Sequence, residues 1–327
     1  METMASHSEV HSQLLDRQAR IREFLKGQRQ SAQLVNLLRE VDSALERIDD
    51  GSYGICEICS EGIEANYLQA DPLVKICLAH LSEDQRHAVE RDLERAAAVQ
   101  GKLLPTTNKN FDGWEVCYHY EPLGPVSGDF CDLIQQTDGS LFFIFGDVSG
   151  KGVAASLLMS HLHGIFRSLV SSEMAVHRLV EQANRLFTES THSANFATLV
   201  FGKASANGEV ELTNAGHCYP LAVQQGQIRS IESTGLPLGM FFSAEYESRK
   251  VHLAPGDTLF LYTDGFTEAR SSTQDEYSEA RLSALIAREH HRSPEDLIKS
   301  ALADLTSFRN GIPKIDDITL LALKRRG

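Results

Sequence analysis

Basic residues are scarce in this chain. Its 31 Lys and Arg stand against 45 Asp and Glu, for a formal net charge of −14, which argues against an extended cationic surface of the kind that coats nucleic acid. No apolar run approaches the ~20 residues that cross a bilayer, and residues 1–9 lack the basic-then-apolar order of a secretory leader. The expectation is a cytoplasmic protein with neither a membrane nor a nucleic acid as partner. Fixed-period repeats and low-complexity tracts are also missing. Six cysteines in 327 residues are too few for a disulfide scaffold, and three of them crowd into residues 56–77, which points to a metal site in a reducing compartment. At this length one large or two smaller domains are expected.

The crowded cysteines have a defined spacing. Cys56, Cys59, Cys77 and His80 form C-x2-C-x17-C-x2-H, two pairs of ligands at the spacing of a four-coordinate structural zinc site. A lobe as short as 51–81 would draw much of its stability from the metal. Ahead of it, residues 1–50 read as a helical lead-in. Leu34, Leu38, Val41, Leu45 and Ile48 alternate spacings of four and three, while Leu14, Ile21 and Leu25 make a weaker stripe interrupted at 27–31. Two helices with a bend, or one flawed helix, satisfy this pattern, as either a dimerising coiled coil or an intramolecular hairpin. Over 82–105 a connecting helix opens on Ser82 and Gln85 as a capping box. It continues through Val89, Leu93, Ala96, Gln100 and Leu103, and stops at Pro105.

From 106 to 327 strand-like runs dominate, at 115–120, 141–145, 196–201, 209–213, 258–262 and 318–323. Helical patterns fill 153–170, 174–188, 279–290 and 294–308 and come in pairs, which favours an α+β fold over a doubly wound sheet. The run F-F-I-F-G-D-V-S-G-K-G at 142–152 organises the rest: a buried strand ends in a carboxylate, followed by backbone that permits close approach. Asp129, Asp147, Asp264 and the pair Asp316-Asp317 all stand where strands end beside small residues. Asp138-Gly139, between two strand-like runs, reads as a plain hairpin turn. Carboxylates converging on one sheet edge repel unless divalent cations neutralise them, and oxygen ligands without clustered His or Cys suit Mg2+ or Mn2+. A nucleotide-binding loop is excluded by the glycine spacing around Lys151, and Ser156 opens no nucleophile elbow. Cys117, Cys131 and Cys218 read as small hydrophobes.

Two resemblances follow from these motifs. G-S-Y-G-I-C-E-I-C, A-D-P-L and the second ligand pair resemble the DksA/TraR-type zinc finger. That family usually ends in C-x2-C, so His80 is a departure, and the candidate coiled-coil tip at 26–30 is basic where some members carry an acidic one. A-A-A-V-Q-G-K-L-L-P looks like the linker helix that precedes the catalytic domain of RsbU-type phosphatases. S-G-D-F, G-D-V-S-G-K-G, F-A-T-L-V, N-A-G-H, G-L-P-L-G, T-D-G-F-T-E and D-D-I-T-L, in this order, resemble the SpoIIE/RsbU branch of metal-dependent Ser/Thr protein phosphatases.

The second resemblance implies an αββα sandwich over 106–327 with two Mn2+ or Mg2+ ions at one end, about 4 Å apart and activating a shared water. Asp147 would bridge the ions and the Val148 carbonyl would bind one. Asp129, Asp264 and Asp316 would complete the set, with Asp317 either an adjacent ligand or a support behind it. The substrate implied is a phosphorylated STAS-type anti-sigma antagonist, dephosphorylated under control of the N-terminal region, with a homodimer through the helical segments. His217, in N-A-G-H, is either a proton donor to the leaving group or a structural turn histidine. The alternative function is a non-catalytic binding module whose finger contacts the transcription machinery.

Overall fold

The computed structural model describes residues 10–11, 14–15, 18–19, 21–22, 32–64, 67–68, 71–81, 83–106, 108–170, 174–191 and 195–327. The expected tip at 26–30 and the Ser82 cap lie outside them. The chain divides into two compact units, 1–92 and 93–327, and each is described by itself.

In the first unit, helix α1 (Ala32–Asp49) buries Val41, Ala44 and Leu45 against Leu14 and Ile21. The apolar stripe is therefore covered from within the chain, as an intramolecular hairpin requires, and Gln18 adds a hydrogen bond to Asp42 at 2.6 Å. Arg47 fastens α1 to the segment that follows. Its guanidinium donates to the Val74 and Leu73 carbonyls at 3.0 and 3.4 Å, so a buried cation has its donors satisfied by backbone oxygens. A single 3-10 turn, Leu78–His80, carries the last candidate zinc ligand.

Helix α2 (Glu83–Leu103) contains the division between the units and runs on into the second. That unit holds two antiparallel sheets. One orders β1 (Asn108–Phe111), β2 (Trp114–Glu121), β11 (Ile318–Arg325), β10 (Thr258–Tyr262), β7 (Leu221–Gln224) and β8 (Gln227–Ser230). The other orders β3 (Phe130–Gln135), β4 (Leu141–Val148), β5 (Ala197–Ala204), β6 (Glu209–Ala215) and β9 (Arg249–His252). Helices α3 (Gly152–Leu169) and α4 (Val176–Ser190) cover the second sheet, while α6 (Glu279–Glu289) and α7 (Pro294–Arg309) cover the first. One helical turn, α5 (Asp264–Thr267), follows β10 directly.

The layering follows from strand alternation, because successive side chains point to opposite faces. In β4, Phe142, Ile144 and Val148 face α3 and α4, whereas Leu141, Phe143 and Phe145 enter the core between the sheets. In β10, Leu259 and Leu261 face the other sheet, and Phe260 and Tyr262 face α6 and α7. Three apolar layers separate four structural ones, giving the αββα sandwich. Asp132 is a charge on a helix-facing position of β3. It is answered by Arg167 of α3, whose Nε and Nη2 each donate at 2.6 Å, and by His163 at 3.2 Å. Asp138 and Gly139 make the β3–β4 hairpin turn, with Gly139 at φ +80 and Asp138 accepting from Ser140. Cys117 and Cys131 pack in apolar layers.

Candidate active site

The same alternation aims the aspartates. Asp147 continues the series Phe143, Phe145, and Asp129 the series Leu133, Cys131, so both point into the end of the inter-sheet layer. Phe130 pairs with Gly146 in the β3–β4 ladder, which sets Asp129 beside Asp147. Asp264 opens α5 at the end of β10, and Asp316 and Asp317 precede β11. The carboxylates thus converge from two sheets at one end of the sandwich. This corrects the expectation of a single sheet edge: sheet pairing decides which strand ends meet, and no local pattern encodes it.

Two glycines make the approach possible. A Cβ on Gly128 would stand 2.7 Å from the Val148 carbonyl oxygen and 2.8 Å from Asp147 Oδ1, and one on Gly265 would stand 2.0 Å from the Asp317 carbonyl oxygen. Real Cβ contacts are not that short, so only glycine lets these loops close on the carboxylates.

Neutral hydroxyls hold Asp129. Thr263 Oγ1 donates to Asp129 Oδ2 at 3.1 Å, Thr319 Oγ1 donates to the same oxygen, and the Asp129 amide donates to Ser127 Oγ at 3.0 Å. Ser127 is itself gripped by the Gln100 side chain of α2. Gln100 Nε2 donates to the Ser127 carbonyl at 2.7 Å and Oε1 accepts from its amide at 3.1 Å. Asp317 spends both oxygens on this loop, Oδ1 accepting from Leu123 N at 2.5 Å and Oδ2 from Ser127 Oγ at 2.6 Å. Asp316 Oδ2 meets Lys151 Nζ at 2.8 Å.

The electrostatics follow from this crowding. Burial, then the charge of Asp147, pushes the Asp129 carboxyl well above the usual range, against the pull of the two threonine hydroxyls. Burial and the charges of Asp264, Asp316 and Asp317 push Asp147 up to about 7, and burial and Asp316 raise Asp264. Carboxylates held together at this cost are suited to a cation. The available donors are carboxylate oxygens and the Val148 carbonyl, the hard set that Mg2+ and Mn2+ take. The donor chemistry and the Gly128 cradle therefore fit these ions.

Among the described residues, the one set of three or more Cys, His, Asp or Glu with ligand atoms all within 4.8 Å is Cys56, Cys59, Cys77 and His80. The aspartates spread wider than that. In the knuckle, Cys59 Sγ lies 3.9 Å from Cys77 Sγ, and His80 Nδ1 lies 3.1 Å from Cys77 Sγ and 3.9 Å from Cys56 Sγ. These separations suit the corners of a tetrahedron around zinc, with Zn–S of about 2.3 Å. Burial raises the Cys56 thiol, but backbone amides led by that of Cys77 outweigh it and bring it down to about 6.

His217 takes the turn role. Its amide donates to Asn214 Oδ1 at 2.8 Å, Asn214 Nδ2 donates back to its carbonyl at 3.1 Å, and Nδ1 lies 2.9 Å from Thr198 Oγ1. Burial lowers its pKa to about 4, so near neutral pH the ring holds no extra proton to donate. Ser127, Thr263, Thr319 and Gln100 went unmarked as site residues in the motif reading. The signal open to sequence was alternation, since Thr319 shares a face with Leu321 and Leu323 and Thr263 with Leu261 and Leu259.

Comparison with known proteins gives the same picture. Residues 137–326 match the family model described as Stage II sporulation protein E (SpoIIE). Protein IcfG of Synechocystis is 28% identical over 278 residues, which are 75% of this chain and 43% of IcfG. Phosphoserine phosphatase RsbU of Bacillus subtilis is 25% identical over 242 residues, 73% of this chain and 71% of RsbU. The chain thus spans less than half of IcfG and about seven-tenths of RsbU. The structure of the SiaA PP2C domain of Pseudomonas aeruginosa shares the fold, with a TM-score of 0.64 at 18% identity over 73% of this chain and 98% of that one. A separate, weaker N-terminal similarity joins the chain to the RNA polymerase-binding transcription factor DksA of Caulobacter vibrioides, 31% identical over 90 residues, or 27% of this chain and 63% of DksA.

Proposed function

The chain belongs to the SpoIIE family through residues 137–326, and from that premise we propose that it is a metal-dependent protein-serine/threonine phosphatase. The observation that carries this reading is the meeting of Asp129 and Asp147 from one sheet with Asp264 and Asp316 from the other, in a site whose donors are all hard oxygens. Two Mn2+ or Mg2+ ions, when bound, supply activation of water and screening of phosphoryl charge, which the slow hydrolysis of a phosphate monoester demands. The chain's own residues do the positioning. Asp147, which the charges of Asp264, Asp316 and Asp317 from the other sheet reach, would be the ligand shared by both ions, and the Val148 carbonyl would bind one of them. Asp129, anchored by Thr263 and Thr319, and Asp264 and Asp316 hold the flanks. Asp317 supports the Ser127 loop in addition to any ligand role. Leaving-group protonation falls to solvent or to a group other than His217.

The proposed substrate is a phosphoserine or phosphothreonine on a STAS-type regulatory protein, in a partner-switching circuit. Residues 51–81 are proposed as a zinc knuckle held by Cys56, Cys59, Cys77 and His80, which together with the helical segments 1–50 and 82–105 regulates the catalytic domain 106–327. A cytoplasmic setting completes the reading; the homodimer expected through the helical segments would have to use a surface other than the α1 stripe that Leu14 and Ile21 cover. No helix among the described residues is long and apolar enough to cross a membrane. The similarity to DksA favours one second reading, a binding module that meets the transcription machinery. Phosphate release from a phosphorylated STAS protein with Mn2+ tests the first. Turnover abolished in Asp147→Ala and Asp264→Asn supports it, and turnover unchanged in both sinks the assigned site. Partner binding by a chain with negligible hydrolysis favours the second.

A further inference from the structure

Asp129 and Asp316 are held in opposite ways. Asp129 is fixed by buried, neutral hydroxyls, which lose nothing when a cation arrives. Asp316 is held by a charge. Lys151 Nζ lies 2.8 Å from Asp316 Oδ2 and 3.0 Å from the Ile315 carbonyl, and the other carboxylate oxygen, Oδ1, accepts the Asp317 amide at 2.9 Å. Both oxygens of Asp316 are therefore engaged, one of them by an ammonium. Among the described residues, Lys151 is the cation that forms an ion pair with any of Asp129, Asp147, Asp264, Asp316 and Asp317.

We propose that Lys151 is a built-in counter-cation that competes with the incoming metal for Asp316. The inference rests on the reading of these aspartates as metal ligands. A divalent ion that takes Asp316 must expel or sit beside a positive charge, and at such separations like charges repel strongly even in a partly solvated site. The geometry permits expulsion. Lys151 is at the N-cap of α3 between Gly150 and Gly152, at φ +96 and +71, and its side chain is 58% exposed. The ammonium can swing into water on its flexible stem without unpacking anything. Two consequences follow. The carboxylates stay partly neutralised while no metal is bound, and the ion that takes Asp316 is the weaker and more exchangeable of the pair, with an affinity set by how easily Lys151 leaves.

The test is binding without turnover. Free Mn2+ is followed by its electron paramagnetic resonance signal during titration of the zinc-loaded full chain, with no substrate present. Lys151→Met removes the charge and keeps the length, and is expected to bind the weaker class of Mn2+ roughly tenfold more tightly, whereas Lys151→Arg stays near the parent. Unchanged or weaker binding in Lys151→Met overturns the inference, since the lysine would then be idle or would orient Asp316 for the metal. Asp147→Asn is the control for the underlying reading. Loss of Mn2+ in that variant keeps the metal centre intact as the frame of the test, while unchanged binding would remove the centre and the inference together. Far-UV circular dichroism shows that each variant is folded.

Discussion

Thr319 of β11 donates its hydroxyl hydrogen bond to Asp129, which stands 190 residues earlier in the chain, immediately before β3 of the opposite sheet. Both residues are buried, at 0% and 2% exposure, so the bond ties the two halves of the sandwich at the end where the carboxylates meet. Thr319→Val keeps the shape and removes the donor. Part of the solvation of a buried carboxylate is lost, at a cost of about 1–3 kcal/mol. The expected outcome is a lower Tm together with weaker Mn2+ binding, both read on the purified chain. A variant with parental Tm and parental Mn2+ affinity would show that Thr263 alone suffices.

Gln100 grips the backbone of Ser127 at two points, and Ser127 in turn touches both Asp129 and Asp317. Gln100→Ala strips partners from a buried carbonyl and amide and should destabilise the 93–327 unit by roughly 2 kcal/mol. Gln100→Glu retains the acceptor for the Ser127 amide and loses the donor to its carbonyl. The carboxylate oxygen in the donor's place would face the Ser127 carbonyl inside a buried cluster that already holds Asp129 and Asp317, so at pH 7.5 its midpoint in urea is expected at or below that of Gln100→Ala.

Acid should weaken the fold through His217. Its folded pKa of about 4 lies below the ordinary 6.5, so the unfolded chain binds the extra proton between those values and the native state does not. Stability is therefore unaffected by this group above pH ~6.5, falls as pH drops from there towards 4, and levels off below. The full loss is on the order of 3 kcal/mol. In His217→Gln the dependence of unfolding free energy on pH, measured by urea denaturation at pH 7.5, 6 and 5, should be shallower by close to one proton. An identical slope in the two proteins would remove His217 as the cause.

Zinc should hold the knuckle together. One equivalent per chain is expected by elemental analysis, falling well below one in Cys59→Ser. Chelation should expose the four ligands to thiol and imidazole reagents, because the small buried cluster around them, Cys56, Cys77 and Ile63, is built on two of the ligands themselves. Full retention of structure in the chelated protein, seen as unchanged near-ultraviolet circular dichroism, would argue against this dependence.

Strongly apolar strands were legible before any coordinates. The run at 258–262 becomes β10 with the same limits, since every residue of Thr258–Tyr262 is buried and both faces of that strand pack. Strand β3 was visible only as the motif S-G-D-F, because Asp132 breaks its helix-facing side and is made tolerable by Arg167 and His163, residues of a helix some thirty positions away. The four-residue strands β1, β7, β8 and β9 are too short to show a period. The helical stripe of α1 was legible as apolar, but its partner was not: the same spacing serves a dimer or a hairpin, and contacts to Leu14 and Ile21 mark the hairpin.

Local chemistry was written in the chain. Cysteines and a histidine sit at knuckle spacing in 56–80, carboxylates sit at strand ends, and the period of two decides which strand residues share a face. What tertiary structure decided was company. That Asp129 meets Thr319, that Asp316 is paired with Lys151 rather than left open, and that Gln100 reaches Ser127 all depend on how two antiparallel sheets stack their inner faces. That stacking is driven by burial summed over dozens of side chains, an effect without direction, and so it leaves no mark in any single short stretch of sequence.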